Sequence, residues 1–463
     1  MKATGSHHET DSVKVLVPVG MLGAGFPEET LTRGIELGAD VIAVDAGSTD
    51  SGPYYLGASQ PKTSRAAVLH DMRSILKCAR SADIPVVVGS CGTSGTDDGV
   101  DGLYDICREI ATGEDLHLSI ARIYSEQTRE VLHRKLVAGR TISLPPTEKL
   151  TPEMIDSCER IVGLMGHEPI AEALQTGANL VLAGRCTDTG IIAAVPLMRG
   201  MPMGPTWHAG KVAECGGLCT TGNNWGGVLV SIDRNGFEVE PLDERAACTP
   251  ASVAAHMLYE NADPFRMREP AGWLDVTNAT YTALDERRVR VEGSSFDAAD
   301  QYTIKLEGSA VVGYQTVSIV GIRDDSVIAR IDEWLASLEA FLTERIPLVL
   351  GLDSSQYEIV LKPYGYNAVL GDLDTDPRQA REVGIVFSAT AADQETATAV
   401  AKLANPYLLH HSLPGMTYLP SWSFSSSPPE MECGRVYSFA LHHAVEVDSP
   451  NELFRLVCTE VSG

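Results

Sequence analysis

The sequence predicts an α/β fold: a doubly wound, mostly parallel sheet with a β-rich lobe and a C-terminal α+β ferredoxin-like domain. Three observations support this prediction. Short apolar runs alternate with amphipathic stretches through the first half of the chain, which is typical of strands and helices in a parallel sheet. Several of these runs end in loops rich in Gly, Asp, Ser or Arg. After about residue 245 the pattern changes to closely spaced strands and a long helix.

The first half of the chain supplies the sheet. Each predicted strand is a short apolar run bounded by polar residues, glycine or proline, and these runs cover residues 13–19, 41–44, 85–88 and 180–182. Amphipathic stretches predict helices over residues 27–37, around 69–76, near 102–110 and over 168–174. Strands that alternate with helices in this way call for right-handed crossovers.

The second half predicts two further regions. Residues 245–350 form a β-rich lobe, with strands at 288–292, 301–306 and 316–320 and a long helix at 326–344. A break near residues 351–356 separates the domain 12–350 from a domain at 355–463. The second domain has strands at 357–361, 384–389 and 436–441 and helices at 394–403 and 450–457, which is ferredoxin-like in outline. The polar residues 1–11 are predicted to be disordered.

Charge and composition exclude several partners. The 463 residues carry a formal net charge of −26, which argues against a nucleic-acid surface or an anionic membrane as partner. A small anionic substrate stays compatible with this charge. The apolar segments are far shorter than the roughly 20 residues that span a bilayer, so a cytoplasmic location is predicted. Ten cysteines without a CxxC pair indicate free thiols, with Cys215 and Cys219 as a weak zinc alternative.

The loop after the second strand is the strongest candidate site. The run 41–44 ends at Asp45 and is followed by Ser48, Thr49 and Asp50. Loops at the carboxyl ends of parallel strands form the ligand crevice, so Asp45 is predicted to be catalytic and the other three to bind substrate. The alternative is a capped turn, because Asp, Ser and Thr also cap helices.

Two glycine-rich loops follow later strands, at residues 89–95 and 184–188. Glycine allows a close backbone approach, so N–H groups can face an anion, and Ser90, Thr93 and Ser94 are predicted to bind substrate. Neither these loops nor residues 20–25 match a nucleotide-binding fingerprint. The cofactor is therefore unknown, with a divalent metal as one alternative.

Arg185 and Asp188 lie in the loop at 184–188. Arg185 is predicted to bind a substrate carboxylate in bidentate fashion, with Asp188 as the catalytic base or as the group that orients Arg185. The alternative is a salt bridge that holds the loop.

Residues 207–217 hold the densest group of reactive side chains. His208, Lys211 and Cys215 have the spacing of one helix face, and Glu214 flanks them. A base beside a cation suits proton abstraction next to a carboxylate or thioester, so His208, Lys211 and Glu214 are predicted to be catalytic. The alternatives are a surface helix with a Lys–Glu pair and a packed histidine at a helix start.

Two further pairs have two interpretations each. His256 and Glu260 lie four residues apart on a predicted helix at 252–260, and they either bind a divalent metal or form an ordinary helical pair. Lys305 and Glu307 lie on the same face of a strand, as an ion pair or a catalytic dyad.

With their neighbours, these motifs resemble the acyclic terpene utilisation (AtuA) family. The segments that carry the resemblance are residues 23–26, 45–57, 84–95, 167–174, 183–189, 207–217, 252–264, 291–296, 305–314 and 321–324. Residues 437–443 and 445–448 are similar to the small ferredoxin-like domain found beside or fused to AtuA domains. The resemblance implies catabolism of branched acyclic terpenoids and brings no catalytic residue set with it.

Two functional hypotheses follow. The first is a catabolic enzyme that acts on a small carboxylic acid or its CoA thioester by proton abstraction, as a lyase, hydratase or isomerase. The second is a non-catalytic acyl-CoA or carboxylate-binding subunit of a larger complex. In both, the ligand is a small molecule, and a homo-oligomer is expected because the C-terminal domain has many apolar runs for its size.

Overall fold

The computed structural model describes residues 12–222, 226–376 and 380–463. The segment 1–11, predicted to be disordered, lies outside them. Within the described residues the chain is a mixed α/β protein, which confirms the predicted class.

The strands of the described residues are, in chain order, β1 (Val13–Val17), β2 (Val41–Asp45), β3 (Val86–Gly89), β4 (Leu118–Tyr124), β5 (Thr141–Ser143), β6 (Cys158–Gly163), β7 (Leu180–Ala183), β8 (Thr221–Gly222), β9 (Val228–Ile232), β10 (Gly236–Pro241), β11 (Ala246–Ala247), β12 (Arg266–Glu269), β13 (Gly272–Asp275), β14 (Thr280–Ala283), β15 (Val289–Glu292), β16 (Ser295–Ala298), β17 (Thr303–Ile322), β18 (Tyr357–Tyr364), β19 (Val383–Ala391), β20 (Ser423–Phe424), β21 (Met431–Glu446) and β22 (Arg455–Val461).

The α-helices of the same residues are α1 (Glu28–Glu36), α2 (Pro53–Gly57), α3 (Arg65–Ala82), α4 (Asp97–Glu114), α5 (Arg129–Val137), α6 (Pro152–Ser157), α7 (Glu168–Gln175), α8 (Asp188–Met198), α9 (Met203–Ala213), α10 (Pro250–Ala255), α11 (Asp325–Ile328), α12 (Ile331–Leu350) and α13 (Gln394–His410).

The largest sheet has the strand order β14-β15-β10-β9-β1-β2-β3-β7-β4-β22. Its centre is parallel, since β1 pairs with β2, β2 with β3, and β7 with both β3 and β4. Antiparallel strands extend it on both sides. The sheet is therefore mixed, with a parallel core between antiparallel flanks.

Helices cover both faces of the parallel core. In β1, Val13, Val15 and Val17 face a core shared with α7, α8 and α9, whereas Leu16 faces a core shared with α1, α3 and α4. Successive strand residues point to opposite faces, so a strand buried on both faces needs a continuous apolar run. This requirement explains why the sequence pattern identified these strands.

Side-chain caps fix where the helices of the sheet edge begin. Ser64, Thr96 and Thr187 precede α3, α4 and α8, and their hydroxyl oxygens accept hydrogen bonds from backbone N–H groups three residues further on, at 3.3, 3.1 and 3.1 Å. Such caps satisfy donors that the first helical turn leaves free. They thereby set the lengths of the loops between the strands and these helices.

The chain divides into two compact units, residues 1–310 with 439–463 and residues 311–438. The sequence instead predicted a division near residues 351–356. Helix α12 belongs to the second unit because Trp334 and Leu338 share a core with Phe387 and Leu408. Strand β22 belongs to the first unit because it pairs with β4 along its whole length.

The second unit follows the order strand, helix, strand, strand, helix, strand, from the end of β17 through α12, β18, β19 and α13 to the start of β21. β19 lies between β17 and β18 and pairs antiparallel with both. In the first unit, the region after residue 245 includes a small antiparallel sheet, β12-β13-β16.

Several local predictions were wrong or incomplete. The strands predicted at 301–306 and 316–320 are parts of one strand, β17. The helix predicted at 450–457 is replaced by the turn before β22 and by the start of that strand, whose pairing with β4 overrides the helical pattern. The helix predicted at 252–260 ends at Ala255. β4, β9 and β10 had no predicted counterpart.

Candidate functional site

The predicted site loops lie at one edge of the central sheet. β1, β2, β3 and β7 are neighbouring parallel strands, so their carboxyl ends lie on the same side. Asp45 ends β2, and Asp188 begins the helix that follows β7. The prediction that these two residues lie at the same edge of the same sheet is confirmed.

Asp45 is buried, with 5% of its surface exposed. Its Oδ2 accepts a hydrogen bond from the Gly47 N–H at 2.9 Å, whereas its Oδ1 is buried without a hydrogen-bond partner among the described residues. Burial raises the pKa of Asp45 well above its usual value, and the nearby Asp188 raises it further. A buried carboxylate oxygen without a partner is costly, which favours a proton or a ligand at this position.

The loop after Asp45 combines a cap with a buried hydroxyl. Ser48 accepts a hydrogen bond from the Asp50 N–H at 3.1 Å, so the capped turn that the sequence left as an alternative is present. Asp50 is exposed, and Thr49 is buried and donates to Glu307 Oε2 at 2.9 Å. Gly47 has φ +135°, and a Cβ there would lie 2.8 Å from the Thr93 Cα. The loops after β2 and β3 therefore touch through their backbones.

The three candidate hydroxyls after β3 are buried. Ser90 accepts a hydrogen bond from Arg185 Nη1 at 3.2 Å, and Thr93 accepts one from the Lys62 N–H at 2.8 Å. The Ser94 hydroxyl has no hydrogen-bond partner among the described residues. Ser90 and Thr93 thus connect loops, and Ser94 keeps its hydrogen-bonding capacity.

Arg185 holds three loops together. Its Nε donates to Glu307 Oε2 at 2.8 Å, Nη1 donates to the Cys186 carbonyl at 3.2 Å, and Nη2 donates to the Thr49 hydroxyl at 3.4 Å. The side chain is 7% exposed. These contacts match the salt bridge that the sequence left as the alternative to substrate binding.

The ion-pair partner of Arg185 is Glu307, which the sequence had not linked to it. Lys305 Nζ lies 2.8 Å from Glu307 Oε1, so the pair on this strand face forms an ion pair. Burial raises the pKa of Glu307, but the charges of Arg185 and Lys305 outweigh burial and hold that pKa below its usual range. Glu307 is therefore a fully ion-paired carboxylate.

Asp188 lies closer to solvent. Its side chain is 26% exposed, and its Oδ1 lies 3.7 Å from Arg185 Nη1. Burial raises the pKa of Asp188 to about 6, with Arg185 opposing the shift and Asp50 and Glu260 adding to it. Asp188 therefore changes its protonation close to neutral pH.

Lys211 and Glu214 form a buried pair at the end of α9. Lys211 Nζ donates to Glu214 Oε1 at 2.5 Å, and the two side chains are 5% and 6% exposed. The sequence alternative of a Lys–Glu pair is therefore present, but inside the protein rather than on a surface helix. Burial raises the pKa of Glu214 to about 8 despite the charge of Lys211.

Glu269, at the end of β12, is a site residue that the sequence analysis missed. It is 3% exposed, its Oε1 accepts a hydrogen bond from Thr189 at 2.7 Å, and its Oε2 has no partner among the described residues. Burial raises the pKa of Glu269 to about 8. The charged segment Arg-Met-Arg-Glu gave no signal of burial.

His256 and Glu260, the possible metal pair, do not share a helix. α10 ends at Ala255, so helical spacing does not relate His256 to Glu260, which is exposed and has φ +54°. His256 instead lies beside Glu214 and Cys215, with one possible ligand atom from each residue inside a 4.8 Å group. Cys219 lies beside Cys248, and its thiol donates to the Gly216 carbonyl; it is not one of the three residues of this group.

His208 belongs to a different environment. It is fully buried, its Nδ1 lies 2.7 Å from the Ser294 hydroxyl, and its Nε2 lies 3.2 Å from the Tyr281 hydroxyl. Burial lowers the pKa of His208 to about 3. These are the contacts of a packed core histidine, the alternative noted from the sequence, and we assign His208 no part in the site.

A largely apolar cavity of about 320 Å³ lies on the other face of the sheet edge. It is lined by Leu22, Ala46, Val68 and Leu103 and also by the charged residues Arg65, Asp98 and Asp105. Ala46 and Leu103 belong to the core of α3 and α4. Asp45 and Ala43 lie two residues apart in β2, so their side chains point to the same face of the sheet. Ala43 belongs to the core shared with α8 and α9, on the face opposite the cavity. The cavity and the charged cluster are therefore separate features.

Among the residues that the structure describes, no helix combines the length and apolarity that crossing a bilayer requires. The described features define a mixed α/β protein with a buried charged cluster at the carboxyl edge of its parallel strands.

Residues 56–445 match the model of the family described as "Acyclic terpene utilisation family protein AtuA". The chain belongs to this family, as its motifs predicted. Comparison with curated proteins and with solved structures found no match.

Proposed function

We propose that this protein is a catabolic enzyme of acyclic terpene utilisation that acts on a small carboxylic acid or its CoA thioester by proton transfer. The family description supports the catabolic setting. The observation that carries the chemistry is the pair Asp45 and Asp188, two carboxyl groups at one sheet edge with raised pKa values. Each has an oxygen without a hydrogen-bond partner among the described residues.

The two carboxyl groups differ in a way that suits acid–base catalysis. Asp188 is partly exposed and has a pKa of about 6, so at neutral pH it is a carboxylate that a substrate can reach. Asp45 is almost fully buried and its pKa is raised further by Asp188, which favours the protonated form. Neighbouring titratable groups with different environments are typical of an acid and base pair. We assign Asp188 as the base and Asp45 as the proton donor.

Lys211 is the cation that this reaction requires. Its side chain is buried, and its charge acts on Asp188. A fixed positive charge in a poorly solvated site stabilises the negative charge that develops on an enolate or carboxylate. Arg185 is less suited to this role because the ionised Glu307 already balances its charge. The partner of Lys211 is Glu214, whose pKa of about 8 favours the protonated form.

The alternative function, a non-catalytic carboxylate or acyl-CoA-binding subunit, is favoured by one observation. Both ring nitrogens of His208 and the guanidinium of Arg185 have partners inside the protein. Two of the expected reactive groups are therefore committed to structure.

Solvent exchange distinguishes the two functions. The full-length protein is incubated in D₂O with geranic acid, an acyclic terpenoid acid, and with its CoA thioester, and deuterium in the recovered compound is measured by mass spectrometry. Proton abstraction incorporates deuterium even without net turnover. Asp188→Asn should slow incorporation by about 10²–10⁴-fold, the usual contribution of a general base.

Asp83→Asn is the matched control, because its side chain is 91% exposed and lies outside the cluster. Incorporation at an unchanged rate in Asp188→Asn would remove Asp188 as the base. Saturable binding of both compounds without any incorporation would favour the binding subunit.

We also infer two finer points of the fold. Helices on both faces of the parallel core support a doubly wound arrangement. The strand order β18-β19-β17-β21 and the element order of residues 311–438 support a ferredoxin-like second unit. It would then begin and end earlier in the chain than residues 355–463.

A further inference from the structure

We propose that Glu214, Cys215 and His256 bind one divalent cation of the zinc class. The proposal is independent of the proton-transfer function, because it concerns metal binding and its test needs no substrate. It starts from the position of the three residues: Glu214 and Cys215 follow the last turn of α9, and His256 follows α10.

The first step is geometric. One ligand atom from each residue, a carboxylate oxygen, the Cys215 sulfur and an imidazole nitrogen, lies within 4.8 Å of the other two. Ligands at about 2.0–2.3 Å from a tetrahedral zinc ion are about 3.3–3.8 Å apart. To bind one zinc ion, the three atoms would have to approach one another by up to about 1.5 Å.

The second step is the state of His256. The residue is 5% exposed, and its Nε2 is buried with no hydrogen-bond partner among the described residues. Its ring stacks on Tyr259, with the ring centroids 5.5 Å apart and an angle of 22° between the planes. The ring is thus held in place while one nitrogen lacks the partner that buried polar atoms normally have. A metal ion at this cluster is a natural partner for an imidazole nitrogen.

The third step is charge. Asp188 acts on both Glu214 and Cys215, and Glu260 acts on Cys215. Lys211, which also lies 5.6 Å from the Tyr259 ring centroid, is the cation that faces this group from α9. Acidic side chains therefore outnumber the cation around the cluster, and a dication would correct the imbalance.

The fourth step is the ligand chemistry. A thiolate, an imidazole and a carboxylate suit zinc and similar transition metals, whereas magnesium and calcium prefer oxygen ligands. Three protein ligands leave one tetrahedral position for water or a substrate oxygen, as in catalytic rather than structural zinc sites. Cys215 is partly exposed, so solvent reaches at least one of the three ligands.

The test uses the full-length protein after chelator treatment, with Co²⁺ as the spectroscopic probe. We expect one equivalent of Co²⁺ to bind and to produce a thiolate-to-cobalt charge-transfer band. Cys215→Ser should abolish the band. His256→Gln should weaken binding by more than the 10–100-fold typical of losing an outer partner of a ligand.

Cys458→Ser and His133→Gln are matched controls, because Cys458 is exposed and His133 is a partly exposed residue paired with Asp156. Both should bind Co²⁺ like the parent protein. A charge-transfer band that survives in Cys215→Ser, or that disappears in Cys458→Ser, would overturn the assignment.

A second measurement needs no variant and covers the case in which one fails to fold. Iodoacetamide labelling of the parent protein is followed by peptide mass spectrometry, with and without Zn²⁺. Zn²⁺ should slow alkylation of Cys215 and leave the half-buried Cys78 unchanged. Equal labelling of Cys215 in both conditions, or the absence of stoichiometric Co²⁺ binding, would exclude the site.

Discussion

Glu307 and Glu269 lie in one site and are buried to a similar extent, but their pKa values shift in opposite directions. They are 4% and 3% exposed. Glu307 is contacted by Arg185, Lys305 and Thr49, whereas the hydrogen bond observed for Glu269 comes from the Thr189 hydroxyl. The difference between them is therefore the number of cations, not the degree of burial.

This difference appears in their protonation. Burial raises the pKa of both groups, but around Glu307 the charges of Arg185 and Lys305 reverse the effect and the pKa falls below its usual range. Around Glu269 burial prevails and the pKa is about 8. At neutral pH the ionised Glu307 holds the loops together through its ion pairs, whereas Glu269 is protonated.

The largest effect is expected when Glu307 loses its ion pair with Arg185. Arg185→Met leaves a buried Glu307 with Lys305 alone, and loss of one partner of a buried ion pair costs about 3–5 kcal/mol. Urea unfolding, with hydrogen exchange of the β2 and β7 amides to report on the first unit, measures the change in free energy. Arg134→Met, with a side chain 65% exposed, should cost below about 0.5 kcal/mol. Equal losses in the two variants would mean that Glu307 does not depend on Arg185.

The pH dependence of Glu269→Gln sharpens the comparison. The folded protein keeps a proton on Glu269 up to a pKa of about 8, whereas the unfolded chain releases it near the usual value of 4.5. Stability of the parent protein therefore falls between about pH 4.5 and 8 relative to Glu269→Gln, by about 3–5 kcal/mol in total. Denaturant unfolding at several pH values measures this difference.

Glu307→Gln is the contrasting variant. Because the pKa of Glu307 is lowered, the parent protein should be more stable than Glu307→Gln above pH 4.5, and this advantage should shrink as the pH falls below 4.5. If the stability difference from the parent protein changed with pH in the same way for Glu269→Gln and Glu307→Gln, the opposite pKa shifts of the two glutamates would be contradicted.

The smallest effect is expected from the two threonines. Thr49→Val removes a donor to the ionised Glu307, and hydrogen bonds to charged groups contribute about 1.5–3 kcal/mol. Thr189→Val removes a donor to the protonated Glu269 at pH 7, for which about 0.5–1.5 kcal/mol is typical. Both hydroxyls are buried. Thr49→Val also removes the acceptor of the hydrogen bond from Arg185 Nη2, which adds to its larger expected loss. A larger loss in Thr189→Val at pH 7 would reverse the ranking.

The parallel core and the position of Asp45 could be predicted from the sequence for a local reason. Strands covered on both faces need continuous apolar runs, and a polar loop after such a run marks the carboxyl end of the strand. The same reasoning placed Arg185 and Asp188 at that edge. It also gave the Lys305–Glu307 pair, because residues two apart share a strand face.

Residues that enter the site through distant packing could not be predicted. Glu269 lies on β12 in a charged segment, and its burial depends on contact with Thr189 of α8. His208 has the spacing of one helix face with Lys211 and Cys215, which suggested a catalytic role. Its hydrogen-bond partners Ser294 and Tyr281 come from segments more than seventy residues away. β9 and β10 do carry a local signal, because Asn235-Gly236 between apolar runs is typical of a β-hairpin.

The pairing of β22 with β4 has a consequence for biosynthesis. Tyr124 leaves the ribosome long before Arg455, its partner in the sheet. At the usual elongation rates of about 5–20 residues per second, this interval is on the order of half a minute. During that time β4 is the unpaired border of the nascent sheet, and such borders recruit other chains.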